Sequence, residues 1–61
     1  MDPDACLERW AFAVADGDND EASKAWRDLA RWLRNGGFEP SAWKGPKGEK
    51  ARHEFRSWVP A

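Results

Sequence analysis

Ala22, Ala25, Trp26, Leu29, Trp32 and Leu33 recur at the i, i+3, i+4, i+7 spacing that lines one face of a helix. Lys24, Arg27, Arg31 and Arg34 fill the opposite face. This pattern predicts an amphipathic helix over 19–35, capped by Asp18 or Asn19 and stopped at Gly36-Gly37. Asp28 follows Lys24 by four positions and precedes Arg31 by three, spacings at which surface ion pairs form. Upstream, Cys6, Leu7, Trp10, Ala11, Ala13 and Val14 share a second apolar face and predict a helix over 4–16. Asp2 or Asp4 is its N-cap candidate. The two helices are separated by Asp16-Gly17-Asp18-Asn19-Asp20, in which every residue is turn-prone. So short a connection between amphipathic helices reads as an antiparallel αα-hairpin.

From 36 to 48 the chain carries Gly36, Gly37, Pro40, Gly45, Pro46 and Gly48, which predicts a loop. Within it, Pro40-Ser41-Ala42-Trp43 can form a single helical turn with Pro at its start. Phe38 is placed to fold back onto the end of the second helix. Ala51, Phe55 and Trp58 then recur at helical spacing, predicting a third helix over 49–58 that ends before Pro60. The expected fold is all-α: a single small domain over 1–61, in which a Gly/Pro/aromatic loop and a short third helix close a helical hairpin.

Composition sharpens this picture. A chain of 61 residues usually needs a disulfide, a metal, a partner or dense helix packing to hold its fold. A lone Cys6 excludes an internal disulfide and a cysteine-based zinc site. The aromatics, five Trp and three Phe, must therefore carry the core. That makes the Trp residues structural first, and Cys6, on the apolar face, an inert buried thiol. Phe12 is the exception, because it falls opposite its own helix's apolar face, among Glu8, Arg9 and Asp16. It either meets the third helix or loop or belongs to an intermolecular surface.

Net charge is −1, but it is polarised: residues 1–21 hold seven acids against Arg9, and residues 22–61 hold nine bases against four acids. Such asymmetry complements itself inside a bundle, steers a partner or drives self-association. The basic residues Lys24, Arg27, Arg31, Arg34, Lys44, Lys47, Lys50, Arg52 and Arg56 are the candidate nucleic-acid contacts, with Trp43 available to stack on a base. A sequence pI near 5.7 lies far below the basic footprint of such modules.

Other motifs carry less chemistry. Asp16-Gly17-Asp18-Asn19-Asp20 resembles the opening of an EF-hand or dockerin calcium loop. Glu21 then stands where that loop turns on Gly, and Arg27 where it closes with a bidentate Glu. Gly17-Asp18 through Ala22, Trp26 and Leu29 resembles the second half of one tetratricopeptide repeat, which implies a helical hairpin and no particular ligand. His53 and Ser57 lie one helical turn apart, but no orienting group or oxyanion site accompanies them. Small Trp-rich chains of this kind resemble accessory proteins of phages, plasmids or bacterial gene clusters.

These features together argue against an enzyme and call for no cofactor or metal. The expected function is non-catalytic protein interaction, with another protein or with itself, through Phe12, Trp43 and Trp58. A weak nucleic-acid-binding regulatory module is the alternative. No apolar run is long enough to span a bilayer, and the acidic Met1-Asp2-Pro3-Asp4 lacks the basic region of a signal peptide, so a cytoplasmic setting is expected.

Overall fold

The computed structural model describes residues 1–58. The reading of Pro60 as a helix stop lies outside the described residues. Three α-helices appear in order, α1 (Pro3–Asp16), α2 (Asn19–Arg34) and α3 (Pro46–Ser57), with a 3-10 turn at Ser41–Trp43. The described residues contain no strand, and the architecture is the expected all-α hairpin with a short third helix.

Each helix end has a local cause. Asp2, not Asp4, caps α1, its carboxylate accepting from the N–H groups of Asp4 and Ala5. Asp18 caps α2 by accepting from the N–H of Glu21 at 3.1 Å. Both helices stop in the same way. Gly17 and Gly36 adopt φ of 74° and 86°, a left-handed turn that only glycine enters without strain. The following N–H groups fold back on the orphan carbonyls, Asp18 to Ala13 at 2.9 Å and Gly37 to Trp32 at 2.8 Å. Phe38 then returns onto Trp32, ring centroids 5.4 Å apart, as its position implied.

α1 packs along α2 through Cys6, Trp10 and Ala13 against Ala22, Ala25 and Leu29, all buried. The buried stripe of α1 is narrower than its apolar face, because Ala11 and Val14 are exposed. The remaining segment covers a different side of the hairpin, over Trp10 and Trp26, and leaves Ala11 and Val14 in water. Asp28 also departs from expectation: it lies 3.7 Å from Arg9 on α1 instead of pairing along its own helix. Asp28 borders the α1 contact, so a cross-helix cation is nearer than Lys24 or Arg31.

α3 begins at Pro46, three residues before the expected start, so the loop is shorter than 36–48. Pro suits the first helical position because its missing N–H would be unpaired there anyway. Gly48, read as a loop residue, is instead buried in the first turn of α3. It lets the helix pass against the backbone of Trp43, where an added Cβ would lie 2.0 Å from the carbonyl. Phe55 is the centre of the aromatic core: its ring lies 5.2 Å from Trp10, 5.6 Å from Trp26 and 5.4 Å from Trp43. Trp26 Nε1 also donates to the Phe55 carbonyl at 2.9 Å, joining α2 to the end of α3.

Asp4 performs a task that the sequence did not reveal. Pro40 precedes the 3-10 turn and offers no side-chain cap. The Asp4 carboxylate reaches across from α1 and accepts from Ser41 Oγ at 2.9 Å and from the Ala42 N–H at 3.3 Å. An Asp4→Ala chain is expected to lose about 1–2 kcal/mol, the usual magnitude of a cap. Urea denaturation checks this, and Asp4→Asn should retain most of the stability.

Candidate protein-docking site

The hairpin has two broad sides. The 3-10 turn and α3 cover one of them, and no described element covers the other. On that open side Ala5, Arg9 and Phe12 project from α1, while Asp28, Arg31 and Trp32 project from α2. Ala5 and Phe12 are seven residues apart, so they point within about 20° of each other and lie about 10 Å apart along the helix. Phe12 is 64% exposed. It is not among the hydrophobics packed against the core.

Beside Ala5 lies a groove of about 800 Å³, lined from both α1 and α2. Met1, Ala5, Cys6, Trp32 and Gly37 supply its apolar lining, and Asp2, Arg9, Asp28 and Arg31 its charged rim. Arg9 is held in place from α2, donating to Glu21 and lying 3.7 Å from Asp28. The hydrogen bond to Glu21 is the main reason its guanidinium pKa rises further above an already high ordinary value. The open face therefore carries a fixed cation between two apolar ends.

Cys6 lies beneath this groove, with Sγ donating to the Ala25 carbonyl at 3.2 Å. Burial pushes its thiol pKa up from the ordinary 9.0, and the nearby Arg9 only partly offsets this. The folded chain favours the neutral thiol, so the stability Cys6 lends is intact below pH 9.0 and is lost as pH rises beyond it. A thiol reagent at pH 8 is expected to label Cys6 slowly in the native chain and at the rate of a free thiol in urea. Equal rates in both conditions would contradict the buried position.

The other two candidate interface residues are placed differently. Trp43, at 3% exposure, is core and presents no surface to a partner. It is buried because Gly48 lets α3 close over it. Trp58 is half-buried, its ring centroid 5.9 Å from Trp10 and 6.4 Å from Trp26. Two indole N–H groups, Trp10 and Trp43, are buried without a hydrogen-bond partner among the described residues.

The nine basic candidates do not merge into one patch. Lys24, Arg27, Arg31 and Arg34 are exposed along α2, but Arg31 belongs to the groove just described. Arg34 and Arg56 line a crevice of about 500 Å³ between α2 and α3. Lys44 and Arg52 line a second crevice, where Arg52 Nε lies 3.1 Å from Glu39, off the hydrogen-bond axis. Lys47 and Lys50 stand exposed on α3. With Trp43 buried, the ring expected to stack on a base is withdrawn from all of them.

Asp16 to Asp20 end α1 and cap α2, and among the described residues no cluster of His, Cys, Asp or Glu could hold a metal ion. Ser57 Oγ donates to the His53 carbonyl at 2.8 Å, so it back-bonds to its own helix. No described helix is long and apolar enough to cross a membrane. No protein family, no curated protein and no solved structure matches the chain.

Proposed function

We propose that this chain is a small non-catalytic protein-docking module, whose partner is another protein or a second copy seated on the open side of the hairpin. The observation that supports this reading is Phe12, a large aromatic ring left 64% exposed in line with an apolar groove. Folding gains little from a ring in that position, whereas interfaces draw much of their energy from central aromatic anchors. A Phe12→Ala chain should accordingly melt within about 0.5 kcal/mol of the parent, as surface substitutions do. A single reduced cysteine suits a cytoplasmic setting, and no membrane partner enters the reading.

A benzophenone amino acid placed at position 12, with Lys50 as the control position, tests the reading in the cells that make this protein. Protein adducts from position 12 and none from position 50 are expected. Absence of any protein adduct from position 12 would overturn it. The second reading, weak nucleic-acid binding, is favoured by one observation, the convergence of Arg34 and Arg56 on a single crevice. Polyanion contacts by so few residues would weaken steeply with salt.

A further inference from the structure

We propose that the crevice between α2 and α3 is a binding site for a small aromatic carboxylate, whose charged group meets Arg34 and Arg56 and whose ring lies on the apolar floor. The crevice is separate from the open face, so the inference goes beyond the docking reading and does not rest on it. Arg34 ends α2, and Arg56 stands in the last turn of α3. The helix dipole favours a cation at each of these ends. It does not require the two cations to line one crevice, and the fold brings them there from separate helices. Neither forms an ion pair among the described residues, whereas Arg9 and Arg52 are each paired with a glutamate. Glu39, the one acid lining the crevice among the described residues, is already committed to Arg52 at 3.1 Å.

The floor supplies the other half of the recognition. Half-buried Trp26, Ala30 and Leu33 line the crevice, together with buried Trp43 and Phe55. Its volume of about 500 Å³ falls in the usual range of small-molecule pockets, about 300–1,000 Å³. Trp26 is fixed in place: its ring stacks on Phe55 at 5.6 Å and 25°, and its Nε1 donates to the Phe55 carbonyl at 2.9 Å. The floor is therefore set before a ligand arrives, and binding costs little ordering there. A guanidinium is planar and matches a carboxylate with two parallel N–H bonds. A phosphodiester strand would use the two cations and leave the apolar floor in water. A neutral apolar molecule would use the floor and leave both cations without a partner. An aromatic ring bearing one carboxylate uses both.

Titration of the full chain with naphthoate, followed through the indole N–H signals in a proton–nitrogen NMR spectrum, tests the site. Naphthamide and a mixed oligonucleotide pool are the comparison ligands. Naphthoate should move the Trp26 signal and saturate in the millimolar range, while Trp32, which lines the groove on the open face, stays still. Replacing both cations, Arg34→Gln with Arg56→Gln, should raise the dissociation constant about tenfold, the usual worth of two exposed ion pairs. The Phe12→Ala chain should bind naphthoate as the parent does, so this result and the adducts from position 12 stand or fall separately. Equal responses to naphthoate and naphthamide would overturn the carboxylate as the recognised group. A response to the oligonucleotides alone would overturn the small ligand in favour of a phosphate strand. No movement of Trp26 at millimolar probe would overturn the site itself.

Discussion

A Gly48→Ala chain is expected to lose α3 from the core. The added methyl would lie 2.0 Å from the carbonyl carbon and oxygen of Trp43 and 2.5 Å from its Cα. Carbon atoms in contact sit about 3.5–4.0 Å apart. Backbone cannot swing aside as a flexible side chain can, so α3 must retreat from the 3-10 turn by more than an ångström. Trp43 and Phe55, both 3% exposed, would be drawn apart. A chain this small has about 3–9 kcal/mol of total stability, at roughly 0.05–0.15 per residue. The expected loss, at least about 3 kcal/mol, is comparable to the whole. The sign is informative because alanine is otherwise the better helix former by about 1 kcal/mol. A higher melting temperature by circular dichroism would mean that the close approach at Gly48 does not exist.

Phe55→Ala should be as damaging, by a different route. Removing a buried Phe costs about 3–5 kcal/mol. Each lost aromatic pair, with Trp10, Trp26 and Trp43, adds to that through geometry beyond area. We expect an unfolded chain at 37 °C, with tryptophan emission shifted to the red as the indoles enter water. The other two Phe residues provide the contrast: Phe38 is 67% exposed and Phe12 64%. Urea midpoints for the three alanine variants should rank Phe55 far below the others. Similar midpoints for all three would contradict the aromatic core.

The amphipathic stripe of α2 and its Gly36-Gly37 stop were legible in the sequence because period, cap and stop all agreed. For α1 the face was right but too wide, since a helical wheel cannot tell which part of an apolar face the rest of the chain will cover. Gly48 misled because glycine reads as a breaker, and its value lies in a backbone contact with a residue five positions earlier. Trp43 and Trp58 were placed at the surface because the path of a loop is not written in its periodicity. Asp4 was equally hidden, since its partners Ser41 and Ala42 are brought to it only by the fold. Phe12 was visible from the start as a ring on the wrong side of its helix. What the sequence lacked was the groove nearby, whose lining is drawn together from the two sides of the hairpin's open end, Met1 to Arg9 and Asp28 to Gly37.

Sedimentation equilibrium over a concentration series, with and without a mixed oligonucleotide pool, tests most directly which surface meets the partner. The account predicts a mass that oligonucleotides leave unchanged and that, wherever it rises above 7.0 kDa with concentration, returns to that value in Phe12→Ala. A chain that stays monomeric, gains mass with oligonucleotides at low salt and loses it as salt rises would contradict the account. It would move the functional surface to Arg34 and Arg56.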